Sequence, residues 1–204
     1  MMFNNSKFVL ATANPGKVIE MQKMLTDLNI KVLTRDELGI TVNIEETGTT
    51  FLENATLKAK AICRISKLPS IADDSGLVVK ALDGKPGVYS SSFGGESLTS
   101  AERCDYLLNQ LKNMEQRDAK FVCTIVCSFP DGKFITATGE CHGSISYKAS
   151  GAGGFGYDPV FLPAGMDKTM AELCADEKNN ISHRGKALRC FYDLLKSNSE
   201  GTYI

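Results

Sequence analysis

KFVLAT, residues 7–12, begins the patterned part of the sequence and predicts a short buried strand. The next residues, ANPGK, are mostly polar or small. Beyond them Val18, Met21 and Leu25 recur at the spacing of one helix face. A strand therefore leads directly into a helix at residues 13–17.

The junction has the chemistry of a phosphate-binding site. A helix N-terminus offers free backbone N–H groups and a partial positive charge, to which Lys17 adds a full charge. The residues expected to bind phosphate are Thr12, Ala13, Asn14, Pro15, Gly16 and Lys17. An ordinary polar turn between strand and helix is the alternative. No Gly-x-x-x-x-Gly-Lys-Ser/Thr spacing occurs, so the loop is not a Walker A motif.

Two segments downstream carry the next elements. Residues 50–66 are predicted to form a helix, because Thr50 and Glu53 have the spacing of a capping box. SIADDSGLVV, residues 70–79, has apolar runs on both sides of a polar centre. It is interpreted as a strand broken by an acidic turn.

The second half of the chain adds antiparallel strands and a last helix. Residues 121–129 and 134–141 are strand-like and flank a Pro-Asp-Gly turn, which predicts a β-hairpin. Residues 182–196 predict a final helix. No internal repeat, low-complexity tract or linker occurs, so residues 1–204 are expected to form a single domain.

The composition argues against several classes of protein. No apolar stretch reaches the roughly 18 residues of a membrane-spanning helix, and residues 1–7 are polar where a signal peptide would turn apolar, so we expect a cytoplasmic protein with no membrane partner. A formal net charge of −1 does not favour nucleic acid as a partner. Seven cysteines without a Cys-x-x-Cys pair indicate reduced, mostly buried thiols.

Two pairs of adjacent carboxylates are the candidate metal ligands. Glu45-Glu46 precedes the helix predicted at 50–66, and Asp73-Asp74 follows it. Mg²⁺ prefers oxygen ligands and usually takes one or two carboxylates together with substrate phosphates. A solvated loop is the alternative for each pair. Asp73-Asp74, however, lies inside an apolar pattern, where charge is costly without a use.

A glycine-rich stretch is a candidate for base recognition. GAGGFG, residues 151–156, matches Gly-x-Gly-x-x-Gly, but no apolar strand leads in, and Tyr-Asp-Pro follows where a Rossmann unit would begin a helix. The stretch is therefore interpreted as a loop that presents side chains for stacking and hydrogen bonding to a base. These residues are Phe155, Gly156, Tyr157 and Asp158. A glycine-rich turn with core aromatics is the alternative.

The segment EKNNISHRGK, residues 177–186, is dense in hydrogen-bond donors. Ser182 can cap the last helix, which would place His183 and Arg184 in its first turn, where positive charge opposes the helix dipole. This placement suggests an anionic or carbonyl-bearing ligand nearby. A solvated charged face is the alternative.

Six segments, taken in order, resemble one known family, the inosine triphosphate pyrophosphatases, also called Ham1-like. The segments are Thr12-x-Asn-x-x-Lys17, Glu45-Glu-Thr-Gly-x-x-Phe-x-Glu-Asn-Ala55, Ala72-Asp-Asp-Ser-Gly-Leu77, Gly84-x-Pro-Gly-x-Tyr-Ser90, Gly153-Gly-Phe-Gly-Tyr-Asp-Pro159 and Ile181-Ser-His-Arg-Gly185. The resemblance covers the whole chain. Ala13 stands where the family commonly has glycine and Pro15 stiffens the loop, and both departures concern only the fine geometry of the loop.

The resemblance implies a fold and an activity. The fold is α/β, with a long mixed twisted sheet flanked by helices, two lobes, a central cleft and usually a homodimer. The activity is Mg²⁺-dependent hydrolysis of noncanonical purine nucleoside triphosphates (ITP, dITP, XTP) to the monophosphate and pyrophosphate, which removes them from the nucleotide pool.

The resemblance also assigns roles to residues. Thr12, Asn14, Lys17 and Lys58 would hold the triphosphate, and Glu45 and Asp74 would bind Mg²⁺. Asp74 would orient or deprotonate the attacking water, and Asp73 could share either task. The residues that would enclose nucleoside and base are Ser75, Phe155, Gly156, Tyr157, Asp158, Lys178, His183 and Arg184.

The sequence leaves three rival functions. A Maf-type pyrophosphatase would have a similar fold but act on pyrimidine or methylated nucleotides, and the segments at 155–159 and 182–185 argue against it. A nucleotide-binding sensor without catalysis would not need both acidic pairs. A nicotinamide oxidoreductase has only the glycine pattern at 151–156 in its favour.

Overall fold

The structure is a computed structural model and describes residues 7–199. Residues 1–6, which supply most of the polar start noted above, lie outside this range. Within it, no helix has the length and apolar character needed to cross a membrane.

A mixed sheet of six strands organises the fold. The strands are β1 (Phe8–Leu10), β2 (Val32–Thr34), β3 (Ser70–Val79), β4 (Asp118–Ser128), β5 (Phe134–Ile145) and β6 (Phe161–Pro163). Their spatial order is β2-β1-β3-β4-β5-β6. β1 pairs in parallel with both β2 and β3, whereas β5 and β6 are antiparallel. The predicted α/β class with a mixed sheet is therefore confirmed.

Five α-helices connect or follow these strands in the described range. They are α1 (Pro15–Asp27), α2 (Phe51–Ser66), α3 (Ser100–Gln110), α4 (Ala175–Ile181) and α5 (His183–Ser199). The capping box of α2 is confirmed, because the Thr50 hydroxyl accepts a hydrogen bond from the Glu53 amide and the Glu53 carboxylate accepts one from the Thr50 amide. The sequence did not predict the short helix α4.

The predicted β-hairpin is also confirmed, and its strands are longer than expected. The turn between β4 and β5 is closed by a hydrogen bond of 3.0 Å from the Gly132 amide to the Phe129 carbonyl. β4 begins at Asp118 and β5 ends at Ile145. Tertiary pairing extends both strands beyond their apolar centres.

The expectation of an acidic turn within residues 70–79 is wrong. β3 runs without interruption from Ser70 to Val79, with Asp73 and Asp74 inside it. A turn would be needed only if the two carboxylates had to reach water. Both instead have charged or polar partners on neighbouring elements, so the strand can continue through them.

The described chain divides into two compact units. Unit 1 comprises residues 7–74, 123–139 and 184–199, and unit 2 comprises residues 75–122 and 140–183. The strands β3, β4 and β5 each contribute residues to both units. This division agrees with the two lobes expected from the resemblance.

Unit 1 has helices on both faces of its sheet, as the side-chain alternation of β1 shows. Phe8 and Leu10 pack in one apolar cluster with buried residues of α1 and α5. Val9 and Ala11 pack in a second cluster with buried residues of α2. Successive strand residues point to opposite faces, so β1 is apolar at every position because it is covered on both sides.

Unit 2 has its own core. Leu77 of β3, Phe121 of β4 and Ile145 of β5 pack there with Leu107 of α3. Each such side chain contributes about 1.5–3 kcal/mol when fully buried. All seven cysteines are free thiols, and five of them, at 63, 104, 123, 127 and 141, are buried, as the sequence predicts for most of them.

Candidate active site

Strand geometry determines where the two central carboxylates point. Leu10 of β1 pairs with Ile71 of β3, so Asp73 and Asp74 lie just beyond the last paired residue of β1. Ile71 belongs to the cluster under α1 and α5, and Ala72 belongs to the cluster under α2. By alternation, Asp73 faces α1 and α5 while Asp74 faces α2. Two residues adjacent in sequence therefore have different surroundings.

Asp73 is the centre of a buried ion-pair network. Its Oδ2 lies 3.0 Å from Lys17 Nζ and 3.1 Å from Arg184 Nη2. Arg184 Nη1 lies 2.5 Å from Glu20 Oε2, which joins α1 to the start of α5. Asp73 has no exposed surface and Arg184 is 1% exposed. Such charges persist in an interior because they are paired.

The cations decide the protonation state of Asp73. Burial alone would raise its pKa, but the charges of Lys17, Arg184 and Lys58 outweigh burial and hold the pKa far below its ordinary value of 3.8. The same carboxylate raises the pKa of Arg184 against the opposing effect of burial. Asp73 is therefore a permanent anion and a weak proton acceptor.

Asp74 contacts a different set of groups on α2. Its Oδ1 lies 3.0 Å from Lys58 Nζ, and its Oδ2 accepts a long hydrogen bond of 3.4 Å from Asn54 Nδ2. Lys58 Nζ also lies 2.9 Å from Glu46 Oε2. Burial lowers the pKa of Lys58, but Asp74, Asp73 and Glu46 outweigh burial, so the pKa is raised. Lys58 is thus a charged ammonium shared by two carboxylates.

The environment of Asp74 makes it the more basic of the two aspartates. Burial raises its pKa to about 6, although Lys58 and Lys17 oppose the rise. A carboxylate with a pKa near 6 is ionised at neutral pH and accepts a proton more readily than an ordinary aspartate. The pair therefore separates into one permanent anion, Asp73, and one candidate base, Asp74.

The loop between β1 and α1 uses two of its polar groups to hold its own shape. The Asn14 side chain caps α1 by accepting a hydrogen bond of 3.2 Å from the Lys17 amide. The Thr12 hydroxyl accepts one of 3.2 Å from the Asn14 amide. Pro15 occupies the first turn, where it needs no N–H partner. Ala13, Asn14 and Pro15 are exposed and Gly16 is half-buried. Phosphate binding by this loop stays a prediction.

The glycine-rich loop of unit 2 is built around a buried ion pair. Lys178 Nζ lies 2.6 Å from Asp158 Oδ2, and the same oxygen accepts a hydrogen bond of 2.8 Å from the Phe155 amide. Lys178 Nζ also lies 5.0 Å from the centroid of the Phe155 ring. Tyr157 is buried, and its hydroxyl donates a hydrogen bond of 2.9 Å to the Ser90 carbonyl. Tyr157 therefore anchors the loop.

Close backbone approaches explain the glycines of this loop. A Cβ at Gly154 would lie 2.0 Å from Asp158 Oδ2, and one at Gly151 would lie 2.5 Å from the Ala171 backbone. The loop is followed by a single 3-10 turn, Asp158–Val160, where a Rossmann unit would have a helix. The exclusion of a dinucleotide fingerprint is confirmed.

The remaining predicted base-enclosing residues have different surroundings in the structure, and base binding by them stays a prediction. Ser75 is half-buried in β3. The His183 ring stacks on Phe121 in unit 2, with centroids 4.7 Å apart and an interplanar angle of 14°. Arg184, the next residue, belongs to the Asp73 network of unit 1. As predicted, α5 begins at His183, but the two side chains have separate surroundings.

Two acidic residues make contacts that the sequence did not predict, and only one of them, Glu46, belonged to a candidate metal-binding pair. Glu46, rather than its neighbour Glu45, reaches Lys58, and Glu20 pairs with Arg184. Glu45 and Glu46 are both exposed. The pair was visible in the sequence, but it lies in an irregular segment, where no periodicity tells which of two neighbours reaches an ion-pair partner.

Comparison with known proteins gives consistent matches. The model of the Ham1 family matches residues 8–194. A dITP/XTP pyrophosphatase of Pectobacterium atrosepticum is 46% identical over 195 residues, covering 94% of this chain and 98% of the relative. A dITP/XTP pyrophosphatase of Desulfotalea psychrophila is 48% identical over 180 residues, covering 88% and 81%.

A solved structure agrees with these matches. The Ham1 protein of Staphylococcus aureus superimposes with a TM-score of 0.84 at 39% identity, covering 95% of this chain and all of that chain. The resemblance drawn from the six sequence segments is confirmed.

Proposed function

The chain belongs to the Ham1 family, and on that premise we propose that it hydrolyses noncanonical purine nucleoside triphosphates such as dITP, XTP and ITP to the monophosphate and pyrophosphate. The single observation that carries the proposal is the pair of adjacent aspartates in β3 with different partners: Asp73 lies buried between two cations of α1 and α5, whereas Asp74 pairs with Lys58 of α2. Hydrolysis of a phosphoric anhydride needs a carboxylate beside the water and positive charge on the phosphates, and unit 1 supplies both.

The donor chemistry beside Asp74 fits a magnesium ion. Glu46 and Asp74 direct one carboxylate oxygen each at the same ammonium, at 2.9 Å and 3.0 Å. Within residues 7–199 no cluster of three or more His, Cys, Asp or Glu side chains could hold a metal alone. Two carboxylates completed by substrate phosphates are a usual setting for Mg²⁺. We therefore propose that Mg²⁺ binds Asp74 together with the Glu45-Glu46 pair, in which Glu45 keeps the role that the resemblance implies and Glu46 is a further candidate ligand.

The chain's own residues then have separate tasks. Asp74 accepts a proton from the water that attacks the α-phosphorus, and the bond from that phosphorus to the bridging oxygen breaks as pyrophosphate leaves. Lys17 and Lys58 neutralise charge on the triphosphate. When bound, Mg²⁺ neutralises further phosphate charge and makes the phosphorus more electrophilic. Asp73 holds Lys17 and Arg184 in position and does not take the proton.

In unit 2, the loop residues Phe155 to Asp158 and Lys178 are assigned to the base. Lys178 Nζ is a donor only, so it suits a carbonyl oxygen at C6 of the purine and opposes the amino group of adenine. The buried Lys178–Asp158 pair supports this assignment, because a buried ion pair is weak evidence for a stabilising role and apolar residues of similar volume often stabilise a fold as well.

Three further properties belong to the same proposal. We assign the protein to the cytoplasm, as a homodimer in which each chain forms a single domain. The family resemblance supports the assembly and the domain assignment. Light scattering coupled to size-exclusion chromatography tests the dimer, and a mass of one chain would contradict it.

A nucleotide panel tests the activity. We expect pyrophosphate release from ITP, dITP and XTP with Mg²⁺, much less from ATP, and none in excess EDTA, because triphosphate and carboxylates repel without a cation. Equal kcat/KM for ATP and ITP would contradict the substrate assignment. Full turnover in EDTA would show that the reaction does not need a metal ion.

A further inference from the structure

We propose that Asn54 is a positioning residue for Asp74, and that its side-chain amide holds the orientation of this carboxylate when Lys58 moves to the phosphates. The inference rests on the proposed function, in which Asp74 takes the proton from water. Asn54 belongs to the segment TFLENA of the family resemblance, where it had no assigned role.

The location of Asn54 is unfavourable unless its amide has a use. It is the fourth residue of α2 and is 3% exposed. Asparagine is a poor residue for a helix interior, because its side chain competes for backbone hydrogen bonds. A buried amide also costs free energy unless both of its ends have partners. Alanine, which α2 has at the buried positions Ala55 and Ala59, would avoid both penalties.

The backbone fixes which end of the amide faces Asp74. The Gly48 amide lies 2.8 Å from the side-chain atom assigned as Asn54 Oδ1. A backbone N–H can only donate, so this atom must be the oxygen. The NH₂ end therefore faces Asp74 Oδ2, at 3.4 Å. Glycine permits the approach, because a Cβ at Gly48 would lie 2.6 Å from Asn54 Oδ1.

The two oxygens of Asp74 are thus held by different donors of one helix. Lys58, one turn beyond Asn54, holds Oδ1, and Asn54 holds Oδ2. Lys58 carries a charge that a triphosphate would attract away from Asp74. Asn54 is neutral, and the Gly48 amide holds its other end, so it stays when Lys58 leaves. It also links Asp74 to the segment that bears Glu46, two residues before Gly48.

The variant Asn54→Asp separates the two ends of the amide. Aspartate keeps the shape and an acceptor for the Gly48 amide, but it replaces the donor that faces Asp74 with an oxygen. We expect kcat for ITP to fall roughly 10- to 100-fold, with KM changed less than about 3-fold, because misplacing a reacting group affects chemistry more than binding. Asn109→Asp, the same substitution at an exposed position of α3, is the matched control and should keep wild-type kcat.

A double-mutant cycle tests the same idea without adding a buried charge. If Asn54 acts through Asp74, Asn54→Ala should lower kcat in the wild type and leave the residual kcat of Asp74→Asn unchanged. If Asn54→Asp kept wild-type kcat, Asn54 would serve only to join α2 to the loop at Gly48, and the proposal would be overturned. The proposal would also be overturned if Asn54→Ala lowered kcat by the same factor in the wild type and in Asp74→Asn. Wild-type pyrophosphate release from ITP is measured in the same assay, and its absence would refute the proposed function itself.

Discussion

At the scale of single residues, the central feature is that adjacent aspartates have opposite pKa shifts. Asp73 has a folded pKa far below its ordinary value of 3.8, so its charge stabilises the fold above pH 4 and that stabilisation is lost as pH falls below it. Asp74 has a folded pKa of about 6, so its charge costs stability above pH 6 and the cost disappears as pH falls toward 4. Two contacting cations lower the pKa of Asp73, whereas burial outweighs the nearby positive charge at Asp74 and raises its pKa.

Asparagine substitutions should separate the two aspartates at pH 8. Asp74→Asn is expected to lose roughly 10²-fold or more in kcat because it removes the base, and to lower stability less than Asp73→Asn because Lys58 keeps Glu46 as a partner. Asp73→Asn is expected to lower the free energy of unfolding by about 3–5 kcal/mol, because it leaves buried cations without their carboxylate. Pyrophosphate release and urea unfolding measure the two effects. Near-normal kcat in folded Asp74→Asn would show that another residue is the general base.

At the scale of elements, the start of α1 combines a capped helix end with a positive side chain. Asn14 and Pro15 define the first turn, and Lys17 leaves it toward Asp73. We expect Lys17→Ala to raise KM for ITP roughly 10-fold or more, because a charged hydrogen bond to phosphate is lost. Inhibition by IMP, which has a single phosphate, should change less. Added salt should also raise the KM of the wild type for ITP, because it screens the attraction between Lys17 and the phosphates.

The control for this helix is a lysine of equal charge outside the predicted site. Lys31 is exposed before β2, and Lys31→Ala should keep wild-type KM. A changed preference between bases in Lys17→Ala, with triphosphate affinity intact, would show that the phosphate assignment of this helix start is wrong.

At the scale of the whole molecule, the assigned tasks are divided between the two units. The aspartates, Lys17 and Lys58 belong to unit 1, and Lys178 belongs to unit 2. Lys178→Met should therefore reduce the preference for ITP over ATP roughly 10- to 100-fold, because the donor for the C6 oxygen is lost. Its dependence on Mg²⁺ concentration should stay that of the wild type.

Lys168→Met is the matched control for this prediction, because Lys168 is an exposed lysine of the same unit. It should keep both the base preference and the Mg²⁺ dependence. The ratio of kcat/KM for ITP and ATP is measured on all three proteins. An unchanged ratio in Lys178→Met would remove this residue from base recognition.

The sequence by itself determined the features that depend on neighbours a few residues apart. The capping box of α2 and the turn of the β4–β5 hairpin belong to this group, because their hydrogen bonds join residues three or four positions apart. The six family segments also identified the family. Only the tertiary structure decided which charges meet: Arg184 reaches Asp73 across 111 positions of sequence, and Glu46 rather than Glu45 reaches Lys58. It also showed that residues 70–79 form one continuous strand, and the alternation of that strand sends Asp73 and Asp74 to opposite faces. Long-range partners decide these points, because a buried charge is stable only where the fold supplies its counterpart.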